Sequence, residues 1–127
     1  DISGFDYGIY IGGGSNAYCT DFSSSPFYPN NRFKDNVIGI TAGWGAYIMA
    51  GLHGNNRYNS IYNNSSYDAK AYNNSTIYAQ FDWWGIDGIQ SSVDGTSYLN
   101  TGFPLSSDPW DEIQGKENKI TIKKSLF

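Results

Sequence analysis

The chain has 127 residues, enough for one domain around a single core, and Lys+Arg 8 against Asp+Glu 12 leave a formal charge of -4 and a pI near 4.6. That balance removes the attraction on which binding to phosphate backbones or anionic lipid depends, so neither nucleic acid nor a membrane surface is expected as a partner. Charged residues are 16% and aromatics 17%, so polarity rests on Asn, Ser, Gly and Tyr, a surface that suits a secreted or cell-surface protein.

No initiator Met or signal peptide precedes the strand-like opening from Ile2 to Ile11, and a processed or truncated piece of a longer chain is expected. Phe5–Ile11 alternates and stops at Gly12-Gly13-Gly14-Ser15, a turn rather than a phosphate loop because the helix and the Lys are missing. Residues 12–29 read as an insertion, bracketed by that glycine run and by Ser23-Ser24-Ser25-Pro26. Cys19, the only cysteine, has no internal disulfide partner and reads as a small buried apolar residue.

Two more strands are expected at Val37–Thr41 and Ala46–Ala50, separated by Gly43-Trp44-Gly45. Val37 to Leu52 is the longest apolar stretch, but glycines and Thr41 break it, so no membrane-spanning helix is expected. His53 stands alone beside Gly54, which argues for a solvated turn and against a transition-metal site. Ser75–Gln80 and Lys119–Lys123 are the later strand-like runs. Between them, the turn-rich stretch from Gly85 to Trp110 reads as a cap, and residues 111–127, with Lys116, Lys119, Lys123 and Lys124, as a tail or linker. Gly, Asn and Ser interrupt every stretch before a helical stripe can repeat, which leaves an all-β chain.

Asn30-Asn31-Arg32-Phe33 recurs as Asn55-Asn56-Arg57-Tyr58, 25 residues later. A period of that size signals a solenoid, in which each coil buries its apolar face only against its neighbours. It predicts Phe33 stacked over Tyr58, and Arg32 over Arg57 at the surface, where water tolerates like charges. Asn63-Asn64 and Asn73-Asn74 carry the same turn chemistry, because Asn accepts the left-handed conformation of a tight bend. Each of these four also begins an Asn-x-Ser/Thr sequon.

Phe33-Lys34-Asp35-Asn36-Val37-Ile38-Gly39-Ile40 resembles the repeat of right-handed parallel β-helix proteins. The stretch Asn74 to Gly85, ending Phe81-Asp82-Trp83-Trp84-Gly85, is similar to the closing segment of many secreted bacterial members, with Asp82 where they carry Asn. Val93-Asp94-Gly95-Thr96 and Pro104 to Pro109 are similar to their terminal stretch. The resemblance spans residues 1–110, the insertion aside. It implies a right-handed parallel β-helix of about three to four coils with a turn-rich C-terminal cap.

Polysaccharide lyases and hydrolases are the enzymes this resemblance implies, and they need acids and a base gathered on one sheet. Here Lys34 and Asp35 sit with Arg32 and Arg57 at one coil edge, while Asn59 and Ser60 stand where a second acid would have to fall. No catalytic site is therefore expected. Asp82, Asp87 and Asp94 are candidate calcium ligands without a calcium-loop spacing, and no other cofactor is implied. Arg32, Arg57, Trp83, Trp84 and Trp110 are candidates for a sugar platform, since aromatic faces pack on sugar rings.

The expected role is a non-catalytic structural, adhesive or glycan-binding part of a secreted or cell-surface bacterial protein. Its partners would be polysaccharide, surface proteins or the remainder of a longer chain. One alternative is a fragment of a polysaccharide-degrading enzyme whose catalytic coils lie upstream of Asp1. Another is a passenger or component of a surface secretion assembly.

Overall fold

A computed structural model describes residues 1–19, 31–51 and 59–111. Its strands are β1 (Tyr7–Ile11), β2 (Asn16–Tyr18), β3 (Arg32–Lys34), β4 (Ile38–Ala42), β5 (Tyr47–Gly51), β6 (Ser60–Tyr62), β7 (Tyr67–Ala71), β8 (Thr76–Ala79), β9 (Ser91–Val93) and β10 (Tyr98–Asn100). They form three sheets, ordered β1-β4-β7-β9, β2-β5-β8-β10 and β3-β6, and every pairing between them is parallel. Isolated parallel bridges from Ile2 to Phe33 and from Ser60 to Trp83 extend the third sheet at both ends. The chain thus visits the first, second and third sheets in a fixed order, and each circuit lies against the one before it. The fold is all-β, as the interrupted periodicity predicts.

Register is set by what points inward. Phe33 pairs with Ile61 and Arg32 with Ser60, so each meets a residue 28 positions on. Residues that meet across neighbouring circuits are 31 apart at the first step, 28 at the second and 22 at the last. The 25-residue recurrence of the Asn-Asn-Arg motif is therefore not a coil period. An inward column of Ile2, Phe33 and Ile61 outweighs a polar motif, because slipping it would expose a residue worth about 2 kcal/mol of burial at each level. Arg57 and Tyr58 themselves lie outside the described residues.

The core is a set of such columns. Ile9, Ile40 and Ala69 stack from the first sheet, and Ala17, Ile48, Ile77 and Leu99 from the second. Ile40, Ile48, Ile61 and Ile77 are completely buried, and Ala42, Ala50, Ala71 and Ala79 fill the narrower places beside them. Stacking like on like lets every level bury its apolar atoms and lets each backbone edge satisfy the next.

Each corner has its own chemistry. Between the third and first sheets, Gly4, Asp35 and Asn63 all take the left-handed conformation. The next residue's amide is then met by an Asn side chain of the following circuit: Phe5 N–H donates to Asn36 Oδ1 at 3.0 Å, and Asn36 N–H to Asn64 Oδ1 at 3.1 Å. Between the first and second sheets, Gly13, Trp44 and Asn73 stack in the left-handed region, followed by Gly14, Gly45 and Asn74. Asn63, Asn73 and Asn74 thus supply the turn chemistry expected of them, at two different corners.

Two stretches contribute more to the stack than expected. β2 and the corner before it fall within residues 12–29, so the part of that stretch up to Cys19 belongs to the stack. Past Gly85 the chain makes another circuit, β9 and β10, before turning outward, so the cap is confined to the final turns. Lys119–Lys123 lies outside the described residues.

Candidate functional site

Alternation along the strands sends one set of side chains out onto the sheets. On the first sheet Tyr10, Thr41 and Lys70 share one such column, and aromatic rings from the strand ends and the adjoining corner gather around it. Tyr7 and Tyr10 meet edge to face with centroids 5.4 Å apart, and Trp44, from the adjoining corner, meets Tyr72 at 6.1 Å. The Tyr10 and Tyr72 hydroxyls, from circuits on either side of β4, are 2.8 Å apart. Beneath them Thr41, in register with Tyr10 and Lys70, is 1% exposed, and its hydroxyl has no partner. Gly43 makes this cover possible, since a Cβ there would occupy the Tyr72 ring. Lys70 holds its ammonium 5.5 Å from the Tyr72 centroid. Tyr7, Tyr10 and Trp44 nevertheless stay 47%, 46% and 62% exposed, which leaves ring surface for a ligand.

On the second sheet the outward tyrosines form a checkerboard. Asn16, Tyr47, Thr76 and Tyr98 follow one another in one register column, and Tyr18, Met49, Tyr78 and Asn100 in the next. Each tyrosine therefore meets the next diagonally: Tyr18 to Tyr47 at 6.5 Å, Tyr47 to Tyr78 at 5.7 Å and Tyr78 to Tyr98 at 5.8 Å. Partial burial, then the neighbouring phenols, push the Tyr47 hydroxyl above its usual range.

The third sheet's outer face is covered by the protein itself. Asp108 accepts from the Ser60 hydroxyl at 2.5 Å and from the Trp110 N–H at 3.0 Å, fixing the last turn against β6. Arg32 lies 4.9 Å from the Trp110 ring centroid and pairs with Asp1, while Trp83 packs on Tyr62 at 4.7 Å. Trp84 faces the other way, into the core at 4% exposure. Of the residues expected to form a sugar platform, Arg32, Trp83 and Trp110 are brought to one face, where Arg32 packs on Trp110 and Trp83 on Tyr62. Trp84 has no face to offer, and Arg57 lies outside the described residues.

The carboxylates hold the corners. Asn31 Nδ2 donates to Asn59 Oδ1, and Asn59 donates to Asp82, a ladder that closes the corner between the second and third sheets. Complete burial raises Asp82 well above the ordinary carboxylate range. Asp68 accepts from Asn64 and from the Gln90 N–H, and burial raises it too. Asp94 accepts from the Asn73 N–H and from Thr96, and those bonds hold it down at about 2. Asp87 sits in the turn Gly85–Gly88, beside a small cavity it shares with Asp68 and Trp84. Asp82, Asp87 and Asp94 do not converge, and among the described residues no group of three or more His, Cys, Asp or Glu side chains could hold a metal ion. Burial, and then the Asp82 charge, push the Cys19 thiol up to about 12, which removes it as a nucleophile.

Compared with protein-family models, curated proteins and solved structures, the chain matches none. Among the described residues no helix is long and apolar enough to cross a membrane. The aromatic faces of the first two sheets escape a reading of the sequence, because their members come from separate circuits. Alternation in Gly8-Ile9-Tyr10-Ile11 and in Tyr47-Ile48-Met49 is the available signal, and it carries no information about which strands adjoin.

Proposed function

We propose that this chain is a right-handed parallel β-helix that serves as a non-catalytic, glycan-binding segment of a secreted or cell-surface protein. The fixed sheet order and uniformly parallel pairing are what such a solenoid requires, and crossovers between parallel strands are right-handed in nearly all proteins. One observation carries the binding role: exposed rings are gathered on the outer faces of two sheets. Sugar rings present flat apolar faces ringed by hydroxyls, and an aromatic face flanked by phenol, amide and hydroxyl groups complements both. Catalysis on the same faces would need an acid and a base within reach of one bond. The buried carboxylates Asp68, Asp82 and Asp108 instead accept bonds that hold the fold together.

The test is affinity electrophoresis of the purified chain through gels containing neutral and anionic polysaccharides, with Tyr10→Ala and Trp44→Ala beside it. Retardation by at least one polysaccharide, weakened several-fold by loss of an outer ring, is the expected result. Free migration in every gel would end the binding role. Release of new reducing ends or unsaturated sugars would end its non-catalytic character.

A further inference from the structure

The two aromatic faces differ in charge and in spacing, and the second sheet's face is specific enough to name a ligand class. Building on the glycan-binding reading above, we infer that the tyrosine checkerboard of the second sheet is a site for a neutral, extended β-1,4-linked polysaccharide whose chain runs along the stacking axis.

Three observations carry this. First, the two outward columns contain no charged residue: Asn, Thr and Met stand between the tyrosines. An anionic glycan would gain nothing there and would lose hydration, whereas the hydroxyls of a neutral one can meet Asn and Thr. On the first sheet, by contrast, Lys70 lies on the outer face.

Second, the tyrosines advance one circuit at a time and change column at each step. Successive rings rise by one strand spacing, about 4.8 Å, and rings within a column recur every second circuit, about 10 Å. An extended β-1,4-linked chain has that symmetry. Its sugars advance by close to one strand spacing each, and every second sugar repeats the orientation of the first. Helical α-1,4 and β-1,3 chains curve away and would reach one or two rings only.

Third, no two neighbouring rings are coplanar: they are inclined to one another by 56°, 55° and 65°. Tyr18 and Tyr78 share one register column and Tyr47 and Tyr98 the other, so a two-fold chain can set alternate sugars against alternate columns.

Isothermal titration of the chain with cellohexaose, chitohexaose, maltohexaose, laminarihexaose and hexagalacturonate tests the assignment, with Tyr47→Ala, Tyr78→Ala, Tyr78→Phe and Ile86→Ala in parallel. Circular dichroism would establish that each variant is folded. The expected result is binding of cellohexaose or chitohexaose at least tenfold tighter than the other three. Tyr47→Ala and Tyr78→Ala each weaken it about tenfold, while Tyr78→Phe and Ile86→Ala, at a fully exposed position away from both aromatic faces, leave it within about twofold. Preference for maltohexaose, laminarihexaose or hexagalacturonate would overturn the assignment and leave the broader glycan-binding reading standing. So would binding left unchanged in Tyr47→Ala and Tyr78→Ala, which would move the site off the second sheet. Absence of heat with every hexasaccharide, joined to free migration in every polysaccharide gel, would overturn both.

Discussion

Asn59 donates its backbone N–H and its side-chain amide to the same carboxylate oxygen of Asp82, at 2.9 and 3.1 Å. The other oxygen of Asp82 is buried without a partner, and the residue is completely enclosed. A carboxylate in that position pays for desolvation with only one of its oxygens bonded, so burial raises its pKa and folding favours the protonated acid.

That preference gives stability a direction with pH. Because the folded value is raised, the contribution of Asp82 is fully present below the ordinary carboxylate range and is lost as pH rises through the raised value. Each unit of the shift is worth about 1.4 kcal/mol above it. Asp82→Asn keeps an acceptor for Asn59 without the charge, so its urea midpoint at pH 8 is expected to exceed that of the parent, and the difference to shrink at pH 4. Asp82→Ala leaves the Asn59 backbone N–H unmet, while the side-chain amide keeps the Ala50 carbonyl, and is expected to cost about 1–3 kcal/mol at pH 4. A parent stability that climbs steadily from pH 4 to pH 8 while Asp82→Asn stays flat would contradict this account.

Asp94 works in the opposite sense at another corner. It accepts from the Asn73 N–H at 2.7 Å and from Thr96 N–H and Oγ1 at 3.1 and 2.9 Å, which holds its carboxyl at about 2. Its contribution is present above the ordinary carboxylate range and is lost as pH falls from about 4 toward that lowered value. Asp94→Ala is expected to speed amide hydrogen exchange at Asn73 and Thr96 by about tenfold at neutral pH, while Ile40 and Ile77 keep their protection. A carboxyl titration followed by NMR that put Asp94 above the ordinary range would refute the assignment.

Glycine positions separate close approach from open turn. A Cβ on Gly39 would fall 2.6 Å from the Asp68 carbonyl oxygen, 2.8 Å from Asn64 Nδ2 and 2.9 Å from Ile61 Cγ2. Backbone and core would both have to move, so Gly39→Ala is expected to cost about 3 kcal/mol by urea denaturation. Gly95 has nothing within 4 Å of that position and lies outside the left-handed region. Gly95→Ala is expected to stay within about 0.5 kcal/mol of the parent. Equal losses at the two sites would mean that circuits are not packed at Gly39 as described.

The amino-acid sequence determined the local matters: short strands at Val37–Thr41, Ala46–Ala50 and Ser75–Gln80, Asn at left-handed corners, and the near absence of helix among the described residues. Those follow from propensity and alternation, which act within a few residues. Tertiary structure decided what depends on partners from other circuits. It set Phe33 on Ile61, turned Trp84 inward while Trp83 packed on Tyr62, and assembled the tyrosines of four strands into one face. A parallel stack is indifferent to which polar motif repeats. Register follows from the inward columns and from circuits of unequal length, and neither is visible until the strands lie side by side.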